Sequence, residues 1–133
     1  MSVIVTDTGF APVADSVNPG LADLGQGTAV DLAQTDDPAA LAPVLGQLSL
    51  IRVAFSAFND GRAFTIARRL RMMGYKGELR ALGPVIADQY AMARRVGFDA
   101  VEIPDELAVR QPESQWQFRA AWQAHDYQSR LRG

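Results

Sequence analysis

Two stretches of the chain carry the same pattern, and this pattern decides the fold. Arg68–Leu82 reads "RRLRMMGYKGELRAL" and Ala91–Ile103 reads "AMARRVGFDAVEI". Each begins in the basic last turn of a helix, passes through a glycine and an aromatic residue, and continues into a strand. Gly74 and Gly97 suit the left-handed position that follows a helix end. The repeated pattern predicts repeated strand–helix units.

The segments around this pattern extend the same alternation. Strands are predicted to begin near residues 28, 50, 78 and 99, and "LIRVAF" (Leu50–Phe55) is the strongest of them. Helices are predicted over Gly61–Met73 and Pro84–Val96, because apolar residues recur there at three and four positions. Strands separated by single helices favour parallel pairing with right-handed crossovers.

The predicted fold class is α/β, with one domain over residues 1–133 and a small, mainly parallel sheet of about four strands. A doubly wound, Rossmann-like open sheet is the leading arrangement, and half of a (β/α) barrel is the alternative. Residues 1–27 are interpreted as an irregular N-terminal segment in which Val3–Val5 forms a short edge strand. Asp36 or Asp37 is predicted to cap a short helix that contains Pro43.

The C-terminal segment Pro112–Leu131 is predicted to be a long helix with two apolar stripes. One stripe holds Phe118, Ala121, Trp122 and His125, and the other holds Trp116, Ala120, Tyr127 and Leu131. A second aromatic stripe exposed to water is unfavourable, so the pattern favours a homodimer. The alternative is that both stripes are buried within one chain.

The composition excludes several kinds of site. The chain of 133 residues has no cysteine and one histidine, His125, which excludes thiolate zinc sites, cysteine-ligated iron–sulfur clusters and sites with several imidazoles from one chain. Neither a metal nor a cofactor is therefore predicted. The apolar runs are too short for a membrane span and the first residues do not resemble a leader, so no membrane association is predicted and a cytoplasmic location is expected.

Charge is distributed unevenly along the chain. Residues 1–51 hold six Asp and no Lys or Arg, whereas all 13 basic residues follow, against nine acids. The basic residues concentrate at Arg62, Arg68, Arg69, Arg71, Lys76, Arg80, Arg94 and Arg95. This pattern indicates either a surface for an anionic ligand or acidic partner, or solvated helix faces. Nucleic acid is not an expected partner, because no binding module is recognisable.

Ligands of parallel sheets bind beyond the carboxyl ends of the strands, and this rule selects the candidate residues. Asp60 suits the N-cap of the first long helix, and Gly61 allows a tight turn. Arg62 in the first turn opposes the helix dipole, so an anion, or a carboxylate such as Asp60, Asp88 or Asp105, is expected to hold it. The full candidate set is Phe58, Asn59, Asp60, Gly61, Arg62, Arg80, Asp88 and Gln89.

Two members of this set have their own arguments. Gln89 falls within an apolar stripe, so its amide needs hydrogen-bond partners; it either ties helix to loop or lines a pocket. Arg80 alternates with Leu79 and Ala81, as does Glu78, which suits the outer face of an edge strand. No catalytic residue is assigned, because no nucleophile triad, metalloprotease motif or dinucleotide fingerprint is present.

These residues resemble a known family. "FNDGRAFTIARRLRMMGYKGELRALGPVIADQ" (Phe58–Gln89) and "GFDAVEI" (Gly97–Ile103) are similar to the bacterial domain-of-unknown-function family nine-three-four. Its pattern is F-x-D-G-R, then A-R-x-L-R, G-Y-x-G-E-L-R-A, a D-Q pair and G-F-D. Two departures, Ala63 in place of a glycine and Pro84 in place of an aspartate, mark a divergent member.

The resemblance implies a role near sulfite reduction. Members are commonly labelled oxidoreductases of sulfite reduction because their genes lie beside that of the sulfite or nitrite reductase haemoprotein. It therefore implies an accessory protein that binds the reductase haemoprotein or an anionic ligand at the strand-end loops. Two other hypotheses stay open: a small α/β enzyme that acts on an anionic metabolite with Asp60 and Arg62, and a dimeric scaffold without a ligand.

Overall fold

One six-stranded sheet organises residues 2–13, 18–55, 61–85, 87–111 and 116, which are those that the computed structural model describes. The strands are β1 Ser2–Thr6, β2 Gly9–Val13, β3 Ala29–Leu32, β4 Leu50–Ala54, β5 Glu78–Leu82 and β6 Ala100–Pro104. The α-helices are α1 Gly61–Met72, α2 Tyr90–Val96 and α3 Asp105–Arg110, and 3₁₀ helices span Leu21–Asp23, Pro38–Gln47 and Ala87–Gln89. The predicted α/β class is confirmed.

The four predicted parallel strands lie side by side in the order β3, β4, β5, β6. Each crossover therefore moves the chain in the same direction, and the order never reverses within this parallel part. The helix α1 contacts both α2 and the 3₁₀ helix Pro38–Gln47, so all three cover the same face of the sheet. A doubly wound sheet reverses its strand order. The observed order is instead that of the half barrel, the alternative arrangement.

The interpretation of residues 1–27 as irregular was wrong for its first half. β1 and β2 form an antiparallel hairpin around the two-residue turn Asp7–Thr8, and β1 also pairs antiparallel with β6. Val3–Val5 therefore lies between two strands and not at an edge, and the sheet is mixed with six strands, not four. The hairpin covers the open side of β6. Pro12 is tolerated because it lies on the outermost strand, β2.

Two predicted helices take a different form. The Pro84–Val96 helix is only the seven-residue α2, preceded by the short 3₁₀ turn Ala87–Gln89. The segment with Pro43 is 3₁₀ over ten residues, and Asp37 caps it as predicted, accepting a hydrogen bond from the amide of Ala39 at 3.0 Å. The predicted C-terminal helix lies outside the described residues except for Trp116.

Trp116 is buried on the helix side of the sheet. It is 1% exposed, and its ring meets those of Tyr90 and Phe10 at centroid distances of 6.0 and 6.4 Å. Its indole N–H donates to the carbonyl of Gln111 at 2.8 Å. At this position, one of the two predicted aromatic stripes packs within its own chain.

The core lies between the sheet and the helices. Alternate residues of each strand point to the helix side, as the two-residue period of a strand requires. Those from the parallel strands are buried, namely Val30, Leu32, Ile51, Val53, Leu79, Ala81, Val101 and Ile103. They meet the buried stripe of α1, which consists of Ala63, Ile66, Ala67 and Leu70.

The repeated sequence pattern corresponds to a repeated helix end. Gly74 and Gly97 both take left-handed backbone angles, with φ of 99° and 117°. In each unit the next amide donates back to the helix, from Tyr75 to the carbonyl of Leu70 at 3.1 Å and from Phe98 to the carbonyl of Ala93 at 3.0 Å. These bonds satisfy carbonyls that a helix end leaves unpaired.

An arginine of each unit then ties the helix end to other loops. Arg71 donates to the carbonyls of Tyr75, Gly77 and Gly97 and forms an ion pair with Asp99 at 2.8 Å. Arg94 donates to the carbonyl of Phe98 and forms an ion pair with Asp7 at 3.2 Å. These two arginines serve the fold, which favours the structural interpretation of that part of the basic cluster.

We predict that Tyr75 makes stability fall at alkaline pH. Burial raises the pKa of this phenol from 10.0 to about 12, and its hydroxyl donates to the carbonyl of Glu78 at 2.9 Å. Between these two pH values the folded chain holds a proton that the unfolded chain has lost. The free energy of unfolding therefore decreases as the pH rises from 10 towards 12.

Urea unfolding across this range, compared between the wild type and Tyr75→Phe, measures the effect. The variant should show a shallower decrease, whereas below pH 10 the two proteins should show the same dependence on pH. Equal slopes in the alkaline range would contradict the prediction.

Candidate functional site

The candidate residues divide between the carboxyl edge of the parallel strands and the middle of the sheet. Gly61 and Arg62 begin α1 after β4, and Asp88 and Gln89 follow β5, so these four lie at the carboxyl edge. Phe58, Asn59 and Asp60 lie outside the described residues, so the predicted capping role of Asp60 stays a prediction. Arg80 lies inside β5 and does not belong to this edge.

The loop after β5 is held tightly against the end of β4. Gly83 has a φ of +123°, and a Cβ atom at this position would lie 2.8 Å from the carbonyl oxygen of Phe55. The amide of Gly83 donates to the carbonyl of Glu102 at 3.0 Å, and the amide of Phe55 donates to the carbonyl of Leu82 at 2.8 Å. Only a residue without a side chain fits this position.

The 3₁₀ turn that follows this loop is held in place by Gln111, the residue after α3. The side-chain oxygen of Gln111 accepts a hydrogen bond from the amide of Ala87 at 2.6 Å. This bond positions the 3₁₀ turn that carries Asp88 and Gln89. These hydrogen bonds of Gly83 and Ala87 therefore fix the backbone at the carboxyl edge, although Gly83 lies in neither a helix nor a strand.

The side chain of Gln89 has a polar atom that no described residue satisfies. The residue is half-buried, and among the described residues no donor reaches its buried Oε1 atom. It occupies the N-cap position of α2 without making a side-chain capping bond. A buried amide oxygen without a donor is unfavourable by about 1–3 kcal/mol, so this atom is suited to accept a hydrogen bond from a bound group. Asp88 beside it is exposed.

Arg62 lies in the first turn of α1 and is exposed. The described first turn of this helix contains no acidic residue. Helix N-termini favour negative charge, and a guanidinium binds a carboxylate or an oxyanion through two parallel hydrogen bonds. The position is therefore chemically suited to a carboxylate of this chain, to an anion or to a partner's carboxylate.

The prediction that Arg80 shares an outer face with Glu78 is correct, but the prediction that it lies on an edge strand is wrong. β5 lies between β4 and β6. The guanidinium of Arg80 donates to Glu78 at 2.6 and 3.0 Å and to Glu102 at 3.0 Å. Since its donors are directed at these carboxylates, Arg80 serves the sheet and is withdrawn from the ligand site.

Sequence reasoning missed the centre of this ion network, Arg52. Its guanidinium binds Asp31 through two hydrogen bonds, at 2.6 and 2.7 Å, and reaches Glu102 at 3.1 and 3.2 Å. Arg52 is 1% exposed and Glu102 is 2% exposed. The hydrogen bonds with Asp31, more than any other effect, raise the pKa of Arg52, so its charge persists at all ordinary pH values.

We call Asp31, Arg52, Glu78, Arg80 and Glu102 the strand-charge cluster; it lies on the face of the sheet opposite the helices. A sequence signal for it exists, because one charged residue interrupts each of the apolar runs "TAVDL" (Thr28–Leu32), "LIRVAF" (Leu50–Phe55) and "AVEI" (Ala100–Ile103). Asn18 extends the cluster by donating to Asp31 at 3.0 and 3.2 Å. The mutual pairing of these charges indicates a structural role.

Two further findings concern the described part of the chain only. No group of three or more His, Asp or Glu side chains there is arranged to hold a metal ion. No helix there is both long and apolar enough to cross a membrane.

We predict that Gly83→Ala destabilises the fold by about 2 kcal/mol or more, because a Cβ would meet the carbonyl of Phe55 and the backbone has positive φ. Gly46→Ala is the matched control, since its Cβ would enter open space. Chemical denaturation measures both. An unchanged free energy of unfolding for Gly83→Ala would show that the loop relaxes freely.

We also predict that Arg52→Met destabilises the fold by about 3–5 kcal/mol, because it leaves buried carboxylates without their cation. Arg110→Met removes an exposed guanidinium and should change stability by less than about 0.5 kcal/mol. The difference between the two denaturation midpoints measures how much more a buried, paired guanidinium contributes to stability than an exposed one does. Similar midpoints would show that the cluster does not stabilise the fold.

Comparison with known proteins places the chain in a family. The model of a family described as "Bacterial protein of unknown function (DUF934)" matches residues 29–132, which include all four parallel strands and every candidate residue. No curated protein and no solved structure is significantly similar to the chain. Since the match spans most of the chain, this protein belongs to the bacterial DUF934 family.

Proposed function

We propose that this protein is an accessory component of assimilatory sulfite reduction. It binds the reductase haemoprotein, or an anionic ligand, at the carboxyl edge of β4 and β5. The residues proposed to make contact are Gly61, Arg62, Asp88 and Gln89, together with Phe58, Asn59 and Asp60. This role would place the protein in the cytoplasm.

The unsatisfied Oε1 atom of Gln89 is the single observation that carries the proposal. Buried amides in folded proteins normally have hydrogen-bond partners, and exceptions often belong to sites that act on another molecule. A backbone amide or a hydroxyl of a bound group would satisfy this oxygen.

Arg62 contributes a positive charge to the same site. It starts α1 after β4, and Gln89 follows the neighbouring strand β5 at the same edge. A binding group that combines a carboxylate or another oxyanion with a hydrogen-bond donor would match both side chains. Loops of acidic proteins have both groups, and so do small oxyanions that carry a hydroxyl group.

Composition and family support an accessory role over electron transfer by the chain alone. The chain has no cysteine and a single histidine, so it lacks the ligands for a haem or cluster site built on several thiolates or imidazoles. The connection with sulfite reduction comes from what the sequence resemblance implies, because similar proteins are labelled by their gene neighbourhood. The electron-transferring centre would accordingly belong to the partner.

We predict that Arg62→Ala and Gln89→Leu each weaken binding to purified sulfite reductase haemoprotein, Arg62→Ala by about tenfold. Isothermal titration calorimetry at low ionic strength measures the dissociation constants. Lys76→Ala is the matched control for Arg62→Ala, since it removes one exposed positive charge after the far end of α1. Its affinity should equal that of the wild type.

Three outcomes separate the hypotheses. Absence of binding by the wild-type protein would overturn the accessory role. If the haemoprotein binds both variants, Arg62→Ala and Gln89→Leu, as tightly as the wild type, the interface does not lie at this edge. A thermal shift with sulfite, a flavin, a nicotinamide or a phosphorylated metabolite, abolished by Arg62→Ala, would instead favour the small enzyme that acts on an anionic metabolite.

A further inference from the structure

We propose that the groove between α1 and the 3₁₀ helix Pro38–Gln47 is the interface of a homodimer, and that its occupant is a second copy of this chain. The proposal is independent of the carboxyl-edge site and of the C-terminal helix, which first suggested a dimer.

The groove has a volume of about 340 Å³ and is lined by Ala39, Ala42, Arg69, Met72 and Met73. We call it the methionine groove. Its lining is apolar apart from the guanidinium of Arg69. Met72 is 77% exposed although it belongs to a helix whose opposite side forms the core. Methionine side chains adapt readily to a facing surface, which suits them to interfaces.

The two sides of the groove carry opposite charges. The 3₁₀ side begins with Asp36 and Asp37 and belongs to residues 1–51, which contain no basic residue. The α1 side carries the exposed Arg68 and Arg69, and the helix contains four arginines and no acid. Asp37 and Arg69 form an ion pair at 3.0 Å across the groove within one chain, with side-chain exposures of 68% and 47%.

Asp37 keeps its negative charge in this position. The hydrogen bond from the amide of Ala39 lowers the pKa of its carboxyl group, with a smaller effect from Arg69. The acidic end of the charge pattern is therefore ionised near neutral pH.

A second copy fits this arrangement better than a different partner does. The interface of a two-fold dimer is formed by the same surface on both subunits, so that surface must complement itself. A two-fold axis along the methionine groove places the α1 side of one copy, with its arginines and Met72, on the 3₁₀ side of the other copy, with its aspartates and alanines. A nucleic acid or a uniformly acidic protein would match the arginines but be repelled by Asp36 and Asp37.

The decisive variant is Met72→Glu, which puts a carboxylate into an apolar contact, opposite the acidic side of the second copy. We expect the dimer dissociation constant to rise by at least about tenfold, measured by sedimentation velocity over a wide range of protein concentrations. Val109→Glu is the matched control, because Val109 is 79% exposed and lies on α3. It should leave the dissociation constant unchanged.

Arg68→Glu tests the charge pattern separately. Reversal of this charge should weaken the dimer, and added salt should weaken the wild-type dimer but affect the variant less. Because Arg68 and Met72 are both exposed, the thermal unfolding midpoints of the variants should stay close to that of the wild type at protein concentrations where all three are monomeric. If Met72→Glu fails to fold, Arg68→Glu decides the question.

A wild-type protein that stays monomeric at all concentrations overturns the proposal. A dimer that neither Met72→Glu nor Arg68→Glu weakens also overturns it. A dimer that is lost in Trp122→Ala but retained in Met72→Glu assigns the interface to the C-terminal segment instead.

Discussion

The buried guanidinium of Arg52 is the charge on which the register of the parallel sheet depends. It lies opposite Asp31 on β3 and Arg80 on β5, and it reaches Glu102 of β6 across the intervening strand. A buried cation is tolerated only with close, well-oriented anions. Slipping one strand by one residue would turn its charge towards the helix side and its apolar residues away from it. The cluster thus specifies one alignment of four strands.

The sequence allowed the local elements to be predicted because their signals are local. Leu50–Phe55 reads as a strand by composition, and α1 reads as a helix by its apolar spacing and its following glycine. The hairpin of β1 and β2 escaped prediction because its turn, Asp7–Thr8, contains no glycine and Pro12 lies within its second strand. Strand order depends on tertiary packing, which favoured the half-barrel alternative over double winding.

The candidate site was located from topology, but its membership depended on contacts that a sequence does not display. The arginines look alike in a linear reading, yet Arg71, Arg80 and Arg94 bind carboxylates or carbonyls of the fold. Arg62 keeps its place at the carboxyl edge because it begins a helix there. Gln89 was singled out because it interrupts an apolar stripe, and the described part of the chain offers its side-chain oxygen no hydrogen-bond donor.

The bonds of Arg71 and Arg94 also change how the repeated units behave as a whole. In a repeat protein each unit mainly contacts its neighbours, so units can open one at a time. Here Arg71 belongs to the first unit and pairs with Asp99 of the second unit. Arg94 belongs to the second unit and pairs with Asp7 in the N-terminal hairpin. Opening either helix end therefore breaks a bond in a distant part of the chain. The two units are therefore coupled in unfolding, so a chain with a repeated sequence unfolds cooperatively instead of one unit at a time.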